Sequence, residues 1–385
     1  MLPRINVHGV ALACVVLSGC ARTTIDNDPT LHPPVAKGAA PAVAGETVVR
    51  DLSRYDFLTA YPKRFIEQKV AFGASCDMSA RSADKGVEAD AKLLRKLFND
   101  AKSPEDFASS LQGEFELVQV AVNAGVPSGV LSGKDGMLTG YATPEVLVRS
   151  KPDERFRFPI VGDIRKSHPE LIDKPRRELI ASPAVRESAI AWVDDPLAWA
   201  LIETNGSARL TFEDSGVEKG KSRRSIVISR VATNGKPWTS IGRWLANRGL
   251  VDSSTYTFAD VAREAGAHPD KTEAAALDNE RVVFFAVVSE AAFPPPIGVS
   301  GGGLMAGYSC AADQSIYPAG SVLVVVERDG QAGVLRPARF LFVHDAGGAI
   351  AGPGRVDAYF GEGTDALLKA GQARTPVEIF RLRRR

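Results

Sequence analysis

An apolar strand that runs directly into Asp345 and a Gly-Gly turn most restricts the folds open to this chain. The run FVHDAGGAIAGPGRVDAYFG spans residues 342–361, and Asp357 follows Asp345 by twelve residues, at the start of a second strand. Glycines, which lack side chains, let a bulky polymer approach a carboxyl group closely. The run predicts either a carboxyl-based site on two strands or, without a function, an Asx turn at Asp345 with Asp357 as a surface acid.

The rest of the chain alternates between short β segments and helices, with no internal repeat. Apolar residues recur at helical spacing over 81–115, where Ser103 and Pro104 mark a helix start. β segments separated by Gly, Pro and Asp turns occupy much of 138–231 and 282–382. The pattern predicts a mainly β protein of the α+β class, and 385 residues are enough for roughly two domains.

The composition excludes several classes of protein. A content of 44% apolar and 24% charged residues is that of a globular chain and argues against fibrous and multi-span membrane proteins. The 47 basic residues are balanced by 46 acidic ones, so no general electrostatic attraction to nucleic acid is expected.

The N-terminus predicts export and a lipid anchor. Residues 1–19 form a secretory signal peptide whose apolar run is too short to span a bilayer. The sequence Leu17-Ser18-Gly19-Cys20 resembles the bacterial lipobox, which predicts lipidation of Cys20 and an outer membrane lipoprotein facing the periplasm. Residues 20–48, rich in Ala and Pro, are expected to be a flexible tether. In that oxidising compartment Cys76 and Cys310 form either a disulfide or two separate buried thiols.

A serine nucleophile motif is also present. Gly298-Val299-Ser300-Gly301-Gly302 fits G-x-S-x-G, and Asp313 and His344 follow in hydrolase order. That motif requires a strand before the serine and a helix after it, whereas prolines precede it here and glycines follow, so a flexible loop is the favoured interpretation. His, Cys and carboxylate residues are not clustered at metal-ligand spacing, and no phosphate-binding loop is found. We therefore expect neither a metal nor a cofactor.

The segment around Asp345 closely resembles the three-aspartate (3D) domain of the membrane-bound lytic transglycosylase A (MltA) family. Members carry an Asp-x-Gly-Gly-Ala-Ile-x-Gly run followed by Asp and an aromatic residue, matched here by Asp345, Asp357 and their neighbours. The first aspartate of the trio corresponds to Asp313. Further family blocks occur in the same order at 138–141, 192–196, 205–209 and 234–243, so the resemblance covers roughly residue 50 to the C-terminus.

The resemblance implies a double-psi β-barrel domain built from residues 49–136 and 282–385. A smaller β-barrel domain is inserted at 137–281, with the substrate groove between the two domains. The implied partners are peptidoglycan glycan strands and, through the lipid anchor, the outer membrane.

The implied activity is cleavage of the MurNAc-β-1,4-GlcNAc bond with attack by the C6 hydroxyl, which leaves a 1,6-anhydro-MurNAc end. A single aspartate then serves as acid and base, and we assign that role to Asp345, with Asp313 and Asp357 as supporting groups. Candidate glycan contacts from the matching blocks are Thr139, Tyr141, Asn205, Ser207, Arg209, Trp238, Gly347 and Gly348.

Four positions depart from the family pattern: Ala142, Glu203, Asn205 and Val282. If they line the groove, substrate fit is in doubt. A non-catalytic peptidoglycan-binding scaffold lipoprotein is therefore the alternative hypothesis.

Overall fold

The computed structural model describes residues 43–58, 61, 66–122, 130–214, 224–254, 256, 258–289, 296–328, 336–347 and 350–385. The signal peptide, Cys20 and Gly348 lie outside these ranges, as does the tether up to residue 42. No helix in the described ranges combines the length and apolar character needed to cross a membrane.

The helices and strands are given in chain order. The strands are β1 (Val43–Val49), β2 (Tyr55–Asp56), β3 (Phe115–Val122), β4 (Gly136–Thr143), β5 (Glu145–Val148), β6 (Phe158–Val161), β7 (Ala189–Val193), β8 (Ser207–Phe212), β9 (Ser225–Thr233), β10 (Val283–Ser289), β11 (Ser309–Ala312), β12 (Val322–Glu327), β13 (Arg336–Asp345), β14 (Arg355–Glu362) and β15 (Arg374–Arg384). The helices are α1 (Ile66–Ser79), α2 (Lys85–Asp100), α3 (Pro104–Glu114), α4 (Arg176–Ala181), α5 (Pro183–Glu187), α6 (Pro196–Asn205), α7 (Ile241–Ala246), α8 (Phe258–Ala267), α9 (Pro269–Asp278) and α10 (Gly363–Gln372).

The chain divides into two compact units, which we call the barrel unit and the insert unit. The barrel unit comprises the described residues within 43–140, 297–361 and 373–385. The insert unit contains Tyr141–Pro296 and Glu362–Gln372. It extends past residue 281, the limit expected from the sequence, because β10 pairs with β9 over six register positions.

The barrel unit is built around a closed ring of six strands in the described chain. The strands follow the order β15-β12-β13-β11-β14-β4, and β4 pairs with β15 again to close the ring. The pairing of β11 with β13 is parallel and that of β11 with β14 antiparallel. N-terminal and C-terminal segments thus build one barrel, and the predicted mainly β fold class is confirmed.

Strand β12 shows why the core strands read as continuous apolar runs. Its even-numbered residues, Val322, Val324 and Val326, pack against the aromatic cluster under α1, α2 and α3. Its odd-numbered residues, Leu323 and Val325, pack inside the barrel. A strand buried on both faces needs apolar residues at successive positions.

The insert unit contains a second, smaller ring of strands around its own core. Strands β10-β9-β8-β5 form a sheet, and β6 and β7 form a separate pair. Two single bridges, Arg149 to Trp192 and Gly162 to Phe285, connect this pair to β5 and β10. The ring therefore closes, as expected for a small inserted barrel.

Part of the segment predicted as a tether over 20–48 belongs to a strand. Strand β1 begins at Val43 and pairs antiparallel with β3. It is an exposed strand held by main-chain hydrogen bonds, so its sequence lacks the apolar pattern that signals a buried strand.

Candidate active site

Two of the three aspartates lie on either side of one small residue of the barrel. In the β11–β13 pair Ala311 is opposite Asp345, and in the β11–β14 pair it is opposite Asp357. Two strand spacings separate their Cα atoms by roughly 10 Å. Because paired residues share a face, both carboxyl groups stand on the face of Ala311, whose methyl group leaves room between them.

A β-bulge puts Asp345 on that face. Cys310 is opposite Val343, yet the next residue, Ala311, is opposite Asp345, so His344 is an extra residue in β13. Val343 and Cys310 point into the barrel core. In a regular strand Asp345 would share the face of Val343, two residues before it. The bulge reverses this and turns the carboxyl group towards Asp357.

Asp357 is the more buried of the two carboxyl groups, with 7% of its surface exposed. Its Oδ1 accepts a hydrogen bond of 2.8 Å from Thr139 Oγ1 of β4. Burial raises the pKa of Asp357 from 3.8 to about 6, opposed by the Thr139 hydrogen bond and the Arg355 charge and aided by the Asp345 charge. This carboxyl group therefore holds a proton at mildly acidic pH.

Arg355 is a site residue that we did not predict from the sequence. Its Nε and Nη2 are buried and have no hydrogen-bond partner among the residues that the structure describes. It precedes Asp357 by two residues on β14, so the two side chains share a face. This spacing of two residues was the sequence signal that could have identified Arg355. The charge of Arg355 lowers the pKa of Asp357.

Asp345 is half-buried, and its Oδ1 accepts the N–H of Ala346 at 2.9 Å. The glycine that follows has a steric role, because a Cβ on Gly347 would lie 2.8 Å from Ile350 Cγ1. Beyond Gly347, the N–H of Ile350 donates to the carbonyl oxygen of Gly347 at 2.9 Å.

Asp313 supports the loop between β13 and β14 instead of joining the pair. Its Oδ2 accepts Gly352 N–H at 2.8 Å, and its Oδ1 accepts both the N–H and the hydroxyl of Ser315. Nearby, the Tyr317 hydroxyl donates to Pro353 O at 2.9 Å. These contacts fix the segment that leads from Asp345 to Asp357.

The other candidate glycan contacts belong to the insert unit. Tyr141 lies two residues beyond Thr139 on β4 and, with Ser207 and Trp238, is only partly buried. Arg209 is buried, and its Nε and Nη2 bind Glu362 at 2.8 and 2.9 Å. Asn205 Nδ2 donates to Leu201 O at the end of α6. Arg209 and Asn205 therefore make contacts within the unit, and Asn205, like Tyr141, Ser207 and Trp238, is partly exposed.

Three of the four departures from the family pattern are buried, so they do not line a groove. Ala142 and Val282 have no exposed surface, and Glu203 is 4% exposed. Glu203 forms an ion pair with Arg176, whose Nε also donates to Asn279 O. The pair is part of the insert core, and the fourth departure, Asn205, holds a helix end as described.

The serine hydrolase interpretation is not supported, because its three residues do not form a triad. Ser300 Oγ donates to the main-chain oxygen of His344, not to its ring. The His344 ring is fully buried and contacts two other serines, Ser79 and Ser309. Asp313 binds the loop described above. Ser300 is therefore an exposed loop residue without a base.

Cys76 and Cys310 are free thiols, which decides between the two alternatives left open by the sequence. Each is fully buried in a different cluster of the barrel unit. In the described part of the chain, no three His, Cys, Asp or Glu side chains are grouped as a metal site.

The comparisons with known proteins agree with the geometry. The MltA specific insert domain matches residues 137–286, and the 3D domain matches residues 308–383. Membrane-bound lytic murein transglycosylase A of Vibrio cholerae is 26% identical over 269 residues, 67% of this chain and 69% of that protein. The Escherichia coli K12 protein of the same name is 26% identical over 257 residues, 64% of this chain and 66% of that protein.

A solved structure gives the same result for the fold. The crystal structure of E. coli MltA with bound chitohexaose superimposes with a TM-score of 0.64 at 20% identity, over 82% of this chain and 90% of that one. With both domain models in the expected order and these relatives, the chain belongs to the membrane-bound lytic transglycosylase A family.

Proposed function

We propose that this protein is a peptidoglycan lytic transglycosylase that cleaves the MurNAc-β-1,4-GlcNAc bond and leaves a 1,6-anhydro-MurNAc end. The observation that carries the proposal is the pair of carboxyl groups beside Ala311, of which Asp357 is buried with a raised pKa. The names of the relatives and the chitohexaose bound to E. coli MltA support a glycan substrate.

Asp357 is the proton donor in this proposal, in place of Asp345, which we assigned from the sequence. A general acid must hold its proton at the working pH, and a pKa of about 6 meets that requirement at mildly acidic pH. Oδ1 accepts the Thr139 hydroxyl hydrogen, so Oδ2 carries the proton. Asp345 is half-buried and supplies a negative charge near the site.

The reaction then needs one carboxyl group that acts twice. Asp357 donates its proton to the oxygen that leaves with GlcNAc as the bond from C1 of MurNAc breaks. The C6 hydroxyl oxygen bonds to C1, and the Asp357 carboxylate takes the hydroxyl proton, which restores the acid. The charge of Asp345 stabilises the oxocarbenium-like transition state. No activated water takes part.

The exposed candidates remain as proposed substrate contacts. We assign stacking on sugar rings to Tyr141 and Trp238, and polar contacts to Ser207. Gly347, with Gly348 after it, allows the glycan to approach Asp345. In this proposal Thr139 acts through Asp357, because its hydroxyl binds that carboxyl group.

Attachment to the outer membrane through lipidated Cys20 is part of the proposal. The motif Leu17-Ser18-Gly19-Cys20 supports it, and the named relatives are membrane-bound. Wild type should fractionate with outer membranes and incorporate labelled palmitate. Recovery of label in Cys20→Ser would contradict this assignment.

The donor assignment is tested by measuring muropeptide release from purified sacculi across a pH series. Asp357→Asn should lose about 10²–10⁴-fold in rate, the usual contribution of a general acid. Asp345→Asn should lose less, about 10- to 10²-fold, because it removes the charge that stabilises the transition state but keeps the proton donor. Its alkaline limb should lie at lower pH, because that charge also raises the pKa of Asp357. An inactive Asp345→Asn beside an active Asp357→Asn would return the donor role to Asp345. Binding without release by wild type would indicate the scaffold alternative.

A further inference from the structure

The bulge that turns Asp345 towards Asp357 is held by the extra residue, His344. The ring is fully buried, its Nε2 lies 3.1 Å from Ser79 Oγ of α1, and its Nδ1 lies 2.9 Å from Ser309 Oγ of β11. Ser309 Oγ also accepts Met305 N–H at 2.8 Å. The main chain of Ser75 on α1 forms a further hydrogen bond with the ring, so both ring nitrogens bind groups outside β13.

The main chain of His344 is held by the glycine-rich loop 298–302, which carries the G-x-S-x-G motif. Its carbonyl oxygen accepts the N–H of Ser300 at 3.2 Å and the Ser300 hydroxyl at 3.0 Å. A Cβ on Gly298 would lie 2.4 Å from this oxygen, so only glycine allows the approach. The motif therefore has a structural use that does not require a nucleophile.

The ring cannot reach a substrate, and it is neutral. Burial lowers the pKa of His344 to about 3, and the ring packs nearly parallel to Phe342 at 5.7 Å between centroids. A neutral imidazole with one N–H and one acceptor nitrogen fits the two serine hydroxyls. These properties indicate a fixed internal link.

We propose that His344, held by Ser79, Ser309 and Ser300, is a positioning residue that maintains the bulge and so keeps the Asp345 carboxyl group beside Asp357. The inference rests on the proposed function for its catalytic consequence. The distance between the Asp345 and Asp357 carboxyl groups can be tested whether or not the proposed function holds.

Loss of the bulge would change the titration of Asp357, whereas a simple loss of stability would not. The charged or titratable groups around Asp357 are Arg355 on β14, Asp345 on β13 and the Cys310 thiol on β11, and Thr139 on β4 adds a hydrogen bond. If the bulge relaxes, Asp345 turns away while the other groups stay. The midpoint at which Asp357 loses its proton then moves to lower pH.

The test uses Ser79→Ala, which removes one ring contact without changing β13. The matched control is Ser75→Ala, which removes a buried hydroxyl one turn earlier on α1, where Ser75 Oγ donates to Ala71 O, and keeps the main-chain group of Ser75 that binds the His344 ring. Both variants are made in the wild-type and Asp345→Asn backgrounds. Each is measured for sacculus turnover across pH and for the ¹³C-detected titration of the Asp357 carboxyl group.

We expect Ser79→Ala to lower kcat by about tenfold or more with little change in KM, since small misplacements of a reacting group cost up to about 10²-fold. The Asp357 midpoint should fall in Ser79→Ala and stay in place in Ser75→Ala. In the Asp345→Asn background, Ser79→Ala should not shift the titration midpoint of Asp357 any further. An unchanged midpoint in a folded Ser79→Ala, or an equal shift in Ser75→Ala, would overturn the proposal.

The two proposals fail in different ways. If wild type releases no muropeptides, the proposed function fails, yet the titration still measures whether His344 holds Asp345 near Asp357. If Ser79→Ala does not fold, Ser309→Ala tests the other ring nitrogen in the same way.

Discussion

Replacing the buried acid should stabilise the protein while it removes activity. The native state raises the pKa of Asp357 from 3.8 to about 6, a difference of roughly two pH units at 1.36 kcal/mol per unit. Ionised Asp357 therefore costs the native state up to about 3 kcal/mol at neutral pH. Asp357→Asn removes this cost and keeps an oxygen to accept the Thr139 hydrogen bond.

Ionisation of Asp357 lowers the stability of wild type as the pH rises. The native state holds the Asp357 proton more tightly than the unfolded state, so stability falls as pH rises from 3.8 to about 6 and is level above that. About half of the cost appears between pH 5 and pH 8. The advantage of Asp357→Asn over wild type should therefore roughly double between these values.

The assay must report on the barrel unit. All four tryptophans, Trp192, Trp199, Trp238 and Trp244, lie in the insert unit, so their fluorescence follows that unit. Hydrogen exchange of the β11, β13 and β14 amides gives the opening free energy of the barrel. Equal stability of Asp357→Asn and wild type at pH 8, or a gain that does not change with pH, would refute the reasoning.

Asp313→Asn is the matched control for this measurement. Its carboxylate accepts hydrogen bonds from Ser315 and Gly352 in the native loop. An amide keeps only one acceptor oxygen, so this variant should be less stable than wild type at both pH values.

Three further outcomes follow from the contacts. Glu203→Ala leaves Arg176 buried without its carboxylate partner and should lower the stability of the insert unit by about 3–5 kcal/mol; an unchanged fluorescence transition in urea would contradict this. Tyr317→Phe removes the hydrogen bond to the β13–β14 loop and should cost about 1 kcal/mol and reduce sacculus turnover, with equal turnover as the contrary result. Cys76 and Cys310 are buried free thiols, so protein that starts after Cys20 should react with two equivalents of maleimide only after unfolding, and reaction of fewer thiols without reductant would indicate a disulfide.

The aspartate pair was predictable from a local motif, whereas the division into two barrels came from the family resemblance. The turn after Asp345 follows from two consecutive glycines, and the apolar runs of β12 and β13 identify strands buried on both faces. The family resemblance supplied the closure of the strands, which no local pattern contains.

The division of roles within the site was not predictable, because it depends on β11. Only the pairing of Ala311 with both strands shows that Asp345 and Asp357 share a face, and the burial of Asp357 arises from β4 and β14 around it. Likewise, Glu203 lies in a core ion pair that needs Arg176, 27 residues away. Long-range neighbours set the pKa of a carboxyl group, so the sequence and the family resemblance did not provide the burial on which the proposed donor role of Asp357 rests.

The most direct test of the proposed function is digestion of purified sacculi in H₂¹⁸O, followed by mass spectrometry of the released muropeptides. Wild type should release 1,6-anhydro-MurNAc ends that contain no ¹⁸O, because the C6 hydroxyl and not water attacks C1. Asp357→Asn should release none. Reducing MurNAc ends that carry ¹⁸O would contradict the account and identify a hydrolase.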